Sequence, residues 1–227
     1  MDRRLLAAVD ANLGWYETLA AAHGLRTDVR DGLWIALGRP PRLHSDVMTL
    51  EPDATSDALA RAVADRNGWA FKDSFATLEP ARSDVRLLFA ASWIHATPPD
   101  SPTKPTGRWA RIRTAAELGA WNVHGGTDGV LLPRLLDRGG FAVLERRTDD
   151  GVTAGAIARL GTGVVELSNV HGVSGQAVDW GELTRAVAAL FPGRPQVGYE
   201  SGDDLTAAVS AGFEPVGELR VWVTDAV

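Results

Sequence analysis

Apolar runs and helical segments alternate in a regular order along the second half of the chain. Apolar residues at every second position predict strands, and apolar residues every three to four positions predict helices. A β-hairpin is predicted where two apolar runs flank the turn Asp149-Asp150-Gly151. The predicted strands are Trp109–Arg113, Phe141–Arg147, Val152–Leu160, Val164–Val170, Gln196–Glu200 and Pro215–Thr224, and the predicted helices are Ala115–Gly125, Val130–Asp137, Trp180–Phe191 and Asp203–Ala211. This order places antiparallel hairpins first and parallel crossovers after them.

The first half of the chain predicts a smaller lobe that also mixes helices and strands. Its predicted elements are a helix over Leu5–His23, strands over Leu33–Leu37 and Asp46–Leu50, a helix capped by Thr55 or Ser56 that runs to about Arg66, a strand over Trp69–Phe75 and a buried strand over Val85–His95. The segment Ala96–Gly107 contains four prolines, which neither a helix nor a central strand accepts. We therefore expect an N-terminal lobe over residues 1–97, a linker over 98–107 and a second domain over 108–227.

Composition narrows the functional classes. The 227 residues include no cysteine, which excludes disulfides, cysteine–zinc sites and thiol catalysis. The net charge of -6 and the absence of a basic, aromatic-rich patch disfavour nucleic-acid binding. No apolar run reaches the roughly 20 residues of a membrane span, and the N-terminus reads as an amphipathic helix, so a cytoplasmic protein is expected. His44 and Asp46 have no further ligands at a suitable spacing, and no metal site is predicted.

Three segments carry a resemblance to a known fold. They are the strand and helix RWARIRTAAELGAW, the hairpin FAVLERRTDDGVTAGAIARL and the ending AAVSAGFEPVGELRVWV. Together they resemble the Gcn5-related N-acetyltransferase (GNAT) superfamily over residues 108–227. The resemblance implies an α/β (α+β) fold, with a mixed, mostly antiparallel twisted sheet flanked by helices. The N-terminal lobe repeats the order helix, strand, polar segment and aromatic strand, so it is either a truncated second GNAT-like unit or a chance likeness.

The resemblance also implies a donor site for acetyl-CoA after the strand Val164–Val170. In the family, small residues and free N–H groups at the start of the next helix hold the donor's pyrophosphate in a loop of the form [Q/R]-x-x-G-x-[G/A]. The matching hexad here runs from Ser174 to Asp179 and departs at its first, fourth and sixth positions. The cofactor-binding residues implied are Leu167, Asn169, Val170, Ser174, Gly175, Gln176, Ala177 and Val178. Asp179 is expected to cap the helix, where it competes for the same N–H groups.

Three side chains are candidates for proton transfer. The resemblance suggests Glu166 or His171 as the base, and Glu166 instead pairs with Arg159 or faces solvent if its role is structural. Strict alternation places Leu167, Asn169 and His171 on one face of their strand. Asn169 either binds an acyl or pantetheine amide or satisfies backbone groups where the strands separate. Many GNAT enzymes carry, at the position of Ala208, a Tyr that protonates the departing thiolate. Since that Tyr is absent here, Tyr199 is the candidate acid, and the alternative is that Tyr199 is a half-buried strand aromatic.

Two functions follow from these residues. The first is an N-acyltransferase that uses acetyl-CoA or another acyl-CoA to modify a small-molecule amine. The alternative is an inactive GNAT-like ligand-binding or regulatory module that has lost CoA binding, which the changed hexad and Ala208 favour. A homodimer is a further expectation from the resemblance.

Overall fold

The computed structural model describes residues 1–80, 84–98 and 108–224. The α-helices in this part of the chain are α1 (Arg3–His23), α2 (Ser56–Ala62), α3 (Ala115–Gly125), α4 (Trp180–Leu190) and α5 (Gly202–Ser210). The strands are β1 (Thr27–Arg30), β2 (Leu33–Ala36), β3 (Val47–Thr49), β4 (Ala70–Asp73), β5 (Val85–Ala96), β6 (Trp109–Arg111), β7 (Phe141–Thr148), β8 (Gly151–Leu160), β9 (Val165–Gly172), β10 (Gln196–Glu200) and β11 (Glu214–Thr224). A 3-10 turn covers Pro133–Leu135.

The chain forms two compact units. The first unit comprises Met1–Asn12 and Trp93–Val216, and the second comprises Leu13–Ser92 and Gly217–Val227. Helix α1 and strands β5 and β11 therefore contribute residues to both units.

In the first unit the strand order is β5-β10-β9-β8-β7-β6. Strands β6 to β9 are antiparallel, and β9 and β10 are parallel because α4 connects them as a crossover. Apolar side chains from β7, β8 and β9 form one buried cluster with α4 and α5. This mixed, mostly antiparallel sheet with helices packed on it confirms the predicted fold class.

In the second unit the strand order is β1-β2-β3-β4-β11. Strand β2 is antiparallel to β1 and β3, whereas β3 and β4 are parallel and are joined through α2. Strand β11 is antiparallel to β4, with Val221 opposite Lys72. The core consists of β2, β4 and α2 side chains, including Ile35, Leu59 and Phe71.

The units differ from the predicted domain bounds. The last strand of the predicted C-terminal domain, β11, pairs with β4 in the second unit, and Trp93–Ala96 of β5 belong to the first unit beside β10. Most of the predicted linker, residues 99–107, lies outside the described residues, so the linker stays a prediction.

Local signals placed most elements within a few residues of their observed bounds. Thr55 caps α2 by accepting the N–H of Ala58, and Thr114 and Glu117 form a capping box at the start of α3. Three expectations were wrong. Strand β1 was not predicted, the segment Val130–Asp137 contains a 3-10 turn instead of a helix, and the first half of β5 is exposed, including Leu87 and Leu88.

Candidate functional site

The parallel pairing of β9 with β10 in the first unit is short, and the stretch beyond the paired positions is called the β9–β10 cleft. The two strands pair only at Val165↔Gln196 and Glu166↔Val197. Beyond that point, Gly198 lies so close to Leu167 that a Cβ at Gly198 would be 2.9 Å from the Leu167 carbonyl oxygen. The later residues of each strand are not paired with the other strand in the described structure.

A β-bulge at Asn169 shapes the β9 side of this cleft. The pairing of β8 with β9 shifts between Gly155↔His171 and Ile157↔Ser168, so β9 contains one extra residue. Asn169 has a φ of 50°, a backbone conformation that Asn tolerates better than most residues. Because of the bulge, Val170 packs against the cluster that contains Leu167. The predicted alternation along β9 was therefore wrong beyond Ser168.

His171 is held by packing next to the bulge. Its Nδ1 donates a hydrogen bond to the carbonyl oxygen of Asn169 at 2.8 Å, and its ring meets Trp121 edge to face at 5.0 Å. Gly155 lies against both rings, and any Cβ there would overlap them. Burial lowers the pKa of His171, and Nε2 is buried without a hydrogen-bond partner among the described residues. These contacts hold the His171 ring beside the bulge, and its role as a base stays a prediction.

Glu166 is engaged in a buried network. Its carboxylate accepts a hydrogen bond from Asn12 Nδ2 at 2.8 Å and one from Arg159 Nε at 3.2 Å. Arg159 also donates to the carbonyl oxygen of Ala11. These contacts tie β8 and β9 to the start of α1. They favour the structural alternative for Glu166, an ion pair with Arg159, over the role of base.

The loop after β9 contains most of the residues predicted to bind a cofactor. Residues Ser174–Ala177 are exposed, whereas Val178 is buried beside α4. The N–H of Gln176 donates to the carbonyl oxygen of Val173. Gly172 lies directly under the Gln176 carbonyl oxygen, which would overlap any Cβ at that position. The loop therefore presents one of its own carbonyl groups at the end of β9.

Carboxylates occupy the start of α4, as predicted for Asp179. Asp179 is the N-cap, and its Oδ1 accepts the N–H of Glu182 at 2.8 Å. The Glu182 side chain binds Arg146 Nε at 2.5 Å, and Arg146 also donates to Thr153 at 3.1 Å. The positive end of the helix dipole is thus already facing a carboxylate from within the chain.

The remaining predicted positions lie in packed surroundings. Trp180 is buried and meets Phe213 edge to face at 5.4 Å. Ala208, on α5, is completely buried in the same cluster, so a larger side chain has no room there. Tyr199 is half-buried and packs edge to face on Trp93 at 5.4 Å. This contact is the one expected of a half-buried strand aromatic, and the acid role of Tyr199 stays a prediction.

Sequence reasoning missed Glu200, at the end of β10. Burial and, to a smaller extent, the nearby Asp204 carboxylate together raise the pKa of the Glu200 carboxyl to about 8. No other described residue forms a hydrogen bond or an ion pair with this carboxyl. The available signal was a carboxylate at the carboxyl end of the strand that follows the crossover helix, where α/β proteins place ligand sites.

His44 and Asp46, whose spacing was considered for a metal site, each have a hydrogen-bond or ion-pair partner. His44 accepts the Trp15 indole N–H at Nε2 (3.1 Å) and donates from Nδ1 to the Arg42 carbonyl, while Asp46 pairs with Arg66. In the described ranges, no group of three or more His, Asp or Glu side chains is placed to hold a metal ion. None of the described helices has the length and apolar character needed to cross a membrane.

Comparison with known proteins identifies the fold. No protein-family model matches the sequence, and no curated protein matches it either. A GCN5-related N-acetyltransferase from Kribbella flavida is 15% identical with a TM-score of 0.61, over 96% of each chain. A GCN5-related N-acetyltransferase-like protein from Streptococcus suis is 16% identical with a TM-score of 0.51, over 96% of this chain and 97% of that chain.

A more distant likeness includes a bound ligand. N-myristoyltransferase of Saccharomyces cerevisiae, solved with bound myristoyl-CoA, is 10% identical with a TM-score of 0.51, over 88% of this chain and 65% of its own. At these identities the likenesses establish fold alone. They extend over the N-terminal lobe, which the sequence resemblance did not include. The chain therefore has the fold of the GCN5-related N-acetyltransferases over nearly its whole length.

Proposed function

We propose that this protein is an N-acyltransferase that moves an acyl group from a pantetheine thioester, such as acetyl-CoA, to a small-molecule amine. The observation that supports this most directly is the separation of β9 from β10 immediately after two paired positions. A separation of this kind exposes strand-edge N–H and C=O groups, which can pair with the amides of an extended pantetheine arm. The likeness to acetyltransferases and to a myristoyl-CoA-bound enzyme supports the same reaction class.

The residues of the cleft fit one part of acyl-CoA and not the other. Leu167, Asn169 and Val170 border the separated strands and would lie along the pantetheine arm and its acyl group. At the other end, the Asp179 carboxylate and the Gln176 carbonyl face the place where a diphosphate would need donors and positive charge. The exposed N–H groups of Ser174, Gly175 and Ala177 remain as donors. We therefore expect CoA to bind weakly, chiefly through its pantetheine arm.

The chain's own groups would act on the acceptor. An aliphatic amine is protonated at neutral pH and must lose a proton before it attacks a thioester carbonyl. The buried Ala208 position means that protonation of the departing thiolate depends on solvent or on Tyr199. A slow reaction is the consequence, since a positioned acid typically contributes 10²–10⁴-fold.

Isothermal titration with acetyl-CoA and with acetyl-pantetheine tests the proposal. We expect both to bind with similar dissociation constants below about 1 mM, because the diphosphate contributes little. Mass spectrometry of mixtures with acetyl-CoA and spermidine, tyramine or free amino acids should show a product heavier by one acetyl group. Absence of binding for both donors at millimolar concentration contradicts the proposal.

A second function is favoured by one specific observation. Capping of α4 by Asp179 removes a donor from the place where the family binds pyrophosphate. A protein that has given up CoA could keep the cleft for another extended ligand, as a binding or regulatory module. This alternative predicts that neither thioester binds, and the same titration separates the two functions.

A further inference from the structure

We propose that Glu200 is the proton acceptor for the amine in the cleft between β9 and β10. This inference rests on the proposed acyl transfer. The first observation is position: Glu200 is the last residue of β10, three residues beyond the last pairing with β9 at Val197. A side chain there stands at the carboxyl end of parallel strands, where α/β proteins bind their substrates.

The second observation is the isolation of the carboxyl group. Glu200 is half-buried, and no described residue donates a hydrogen bond or a salt bridge to it. The buried carboxylates of the first unit, Glu145, Glu166 and Glu182, are all paired with arginines. A half-buried carboxyl group without a partner costs stability when it is charged, and a cationic ligand such as an ammonium group would offset that cost.

The surrounding charges make Glu200 basic enough for the task. Within the first unit, the charged and titratable groups on the elements around β10 are Glu166 and His171 on β9, His95 on the part of β5 that belongs to this unit, Glu182 and Arg185 on α4, and Asp203 and Asp204 on α5. Of these, Asp204 adds to the effect of burial, and together they raise the pKa of Glu200 to about 8. A base with a pKa near the working pH combines an adequate charged fraction with good proton affinity.

The step balances without any further reactant. The Glu200 carboxylate takes one proton from the ammonium group, directly or through water, and leaves a neutral amine. The amine nitrogen then forms a bond to the thioester carbonyl carbon, and the carbon–sulfur bond breaks. The second proton of the nitrogen leaves with the product thiol, and the proton on Glu200 returns to solvent.

The pH dependence of turnover tests this assignment. With acetyl-CoA and the amine acetylated in the mass-spectrometric screen, kcat/KM of the wild type should rise along a limb centred near pH 8. Glu200→Gln should lower kcat/KM by about 10²–10⁴-fold and remove this limb. Asp204→Asn should move the limb to lower pH, and the neighbouring Asp203→Asn, a matched control on the same helix turn, should leave it in place.

A measurement of the free energy of unfolding tests the raised pKa of Glu200 independently of catalysis. The pKa of Glu200 is raised from 4.5 to about 8 in the folded protein, so ionisation of Glu200 destabilises the fold progressively as the pH rises through that window. Denaturant unfolding should show the wild type losing stability relative to Glu200→Gln between pH 5 and pH 8, with no such difference at pH 4.5 and below.

The outcomes distinguish the two proposals. A wild type that acetylates amines, with Glu200→Gln equally active and showing the same pH profile, overturns the role of Glu200 and leaves the acyl transfer standing. A wild type that acetylates no amine overturns both. Glu200→Asp, which keeps a carboxylate, should restore the limb if the group acts as a base.

Discussion

Asp179 is the residue at which helix capping and the proposed binding of CoA oppose each other. Its carboxylate caps α4 and faces the place where a donor's diphosphate would lie. Like charges a few ångströms apart repel by about 1–4 kcal/mol near a protein surface, depending on the local dielectric. Under the proposed function, the same residue supports the helix and repels the diphosphate of CoA.

Replacing Asp179 with Asn should separate these effects. Asn caps helices as well as Asp does, so the melting temperature should change little. Loss of the negative charge should tighten CoA binding by about tenfold, equivalent to 1.4 kcal/mol, and leave acetyl-pantetheine binding unchanged. Calorimetry of both ligands measures the difference, with Asp150→Asn at the hairpin tip as the control. Equal gains for the two ligands would contradict repulsion of the diphosphate.

Glu166 is a second residue whose contacts bear on its function. It was predicted as a base, and its carboxylate accepts hydrogen bonds from Asn12 and Arg159. Glu166→Ala should destabilise the protein by about 3–5 kcal/mol, because it leaves Arg159 and Asn12 without their acceptor. Glu214→Ala, which breaks the exposed pair with Arg4, should leave the stability unchanged. Urea unfolding compares the two variants. A Glu166→Ala protein that keeps its stability but loses activity would instead restore the role of base.

At the scale of elements, the parallel crossovers of the two units differ in one feature. In the second unit, the Thr49 hydroxyl accepts the N–H of Ser74 at 2.7 Å, which joins β3 to β4 at their carboxyl ends. In the first unit, the corresponding ends of β9 and β10 are separate, and a bulge at Asn169 lies beside the gap. A shared strand–helix–strand pattern therefore yields a closed pair in one unit and a cleft in the other.

The junction of β9 with its loop depends on a glycine. Gly172→Ala would place a methyl group on the Gln176 carbonyl, so the loop must move, and we expect a loss of about 2–4 kcal/mol of unfolding free energy. Gly119→Ala, at an open and exposed position of α3, should add about 1 kcal/mol instead. Thermal unfolding of the two variants is the test. Equal stability of both proteins would show that the loop does not rest on Gly172.

At the scale of the whole molecule, each half of the sequence contributes strands to both compact units, and this decides whether a fragment of the chain can fold by itself. Strand β4 pairs with β11, which lies far from it in the sequence. Next to this pairing, the Thr224 N–H donates to the Trp69 carbonyl oxygen, and the Trp69 N–H donates to the Thr224 hydroxyl oxygen. A fragment of residues 1–97 lacks this strand and exposes the edge of β4. The predicted N-terminal lobe, residues 1–97, therefore differs from the observed second unit, which also includes Gly217–Val227.

A fragment expressed as residues 1–97 should be largely unfolded. Its circular dichroism and amide exchange should indicate little stable sheet, because the pairing of β4 with β11 is missing. Co-expression with residues 108–227 should recover a folded complex, since that fragment supplies β11. A stable, cooperatively unfolding 1–97 fragment would show that β11 is dispensable to this unit.

The pattern of apolar positions was sufficient to locate most of the helices and strands, because burial periodicity and capping residues act over a few neighbours. Thr55, Thr114 and Asp179 cap the helices that they were predicted to cap. The same local signals carried the resemblance to the GNAT fold. These local signals did not predict β1 or the exposure of the first half of β5, because the pairing and burial of a strand depend on strands that are distant in the sequence.

The chemistry of the cleft came from contacts between residues far apart in the chain. Asn12 lies 154 positions from Glu166 and donates a hydrogen bond to the carboxylate of this candidate base. The bulge at Asn169 changes which side chains share a face, and burial turns Glu200 into a weak acid that ionises near pH 8. The sequence by itself determines hydrophobic periodicity and helix caps, because both depend on residues close together in the chain. The burial of side chains, the pairing of strands and the shifts of pKa are decided only by the tertiary structure, because they arise when remote segments exclude water from one another.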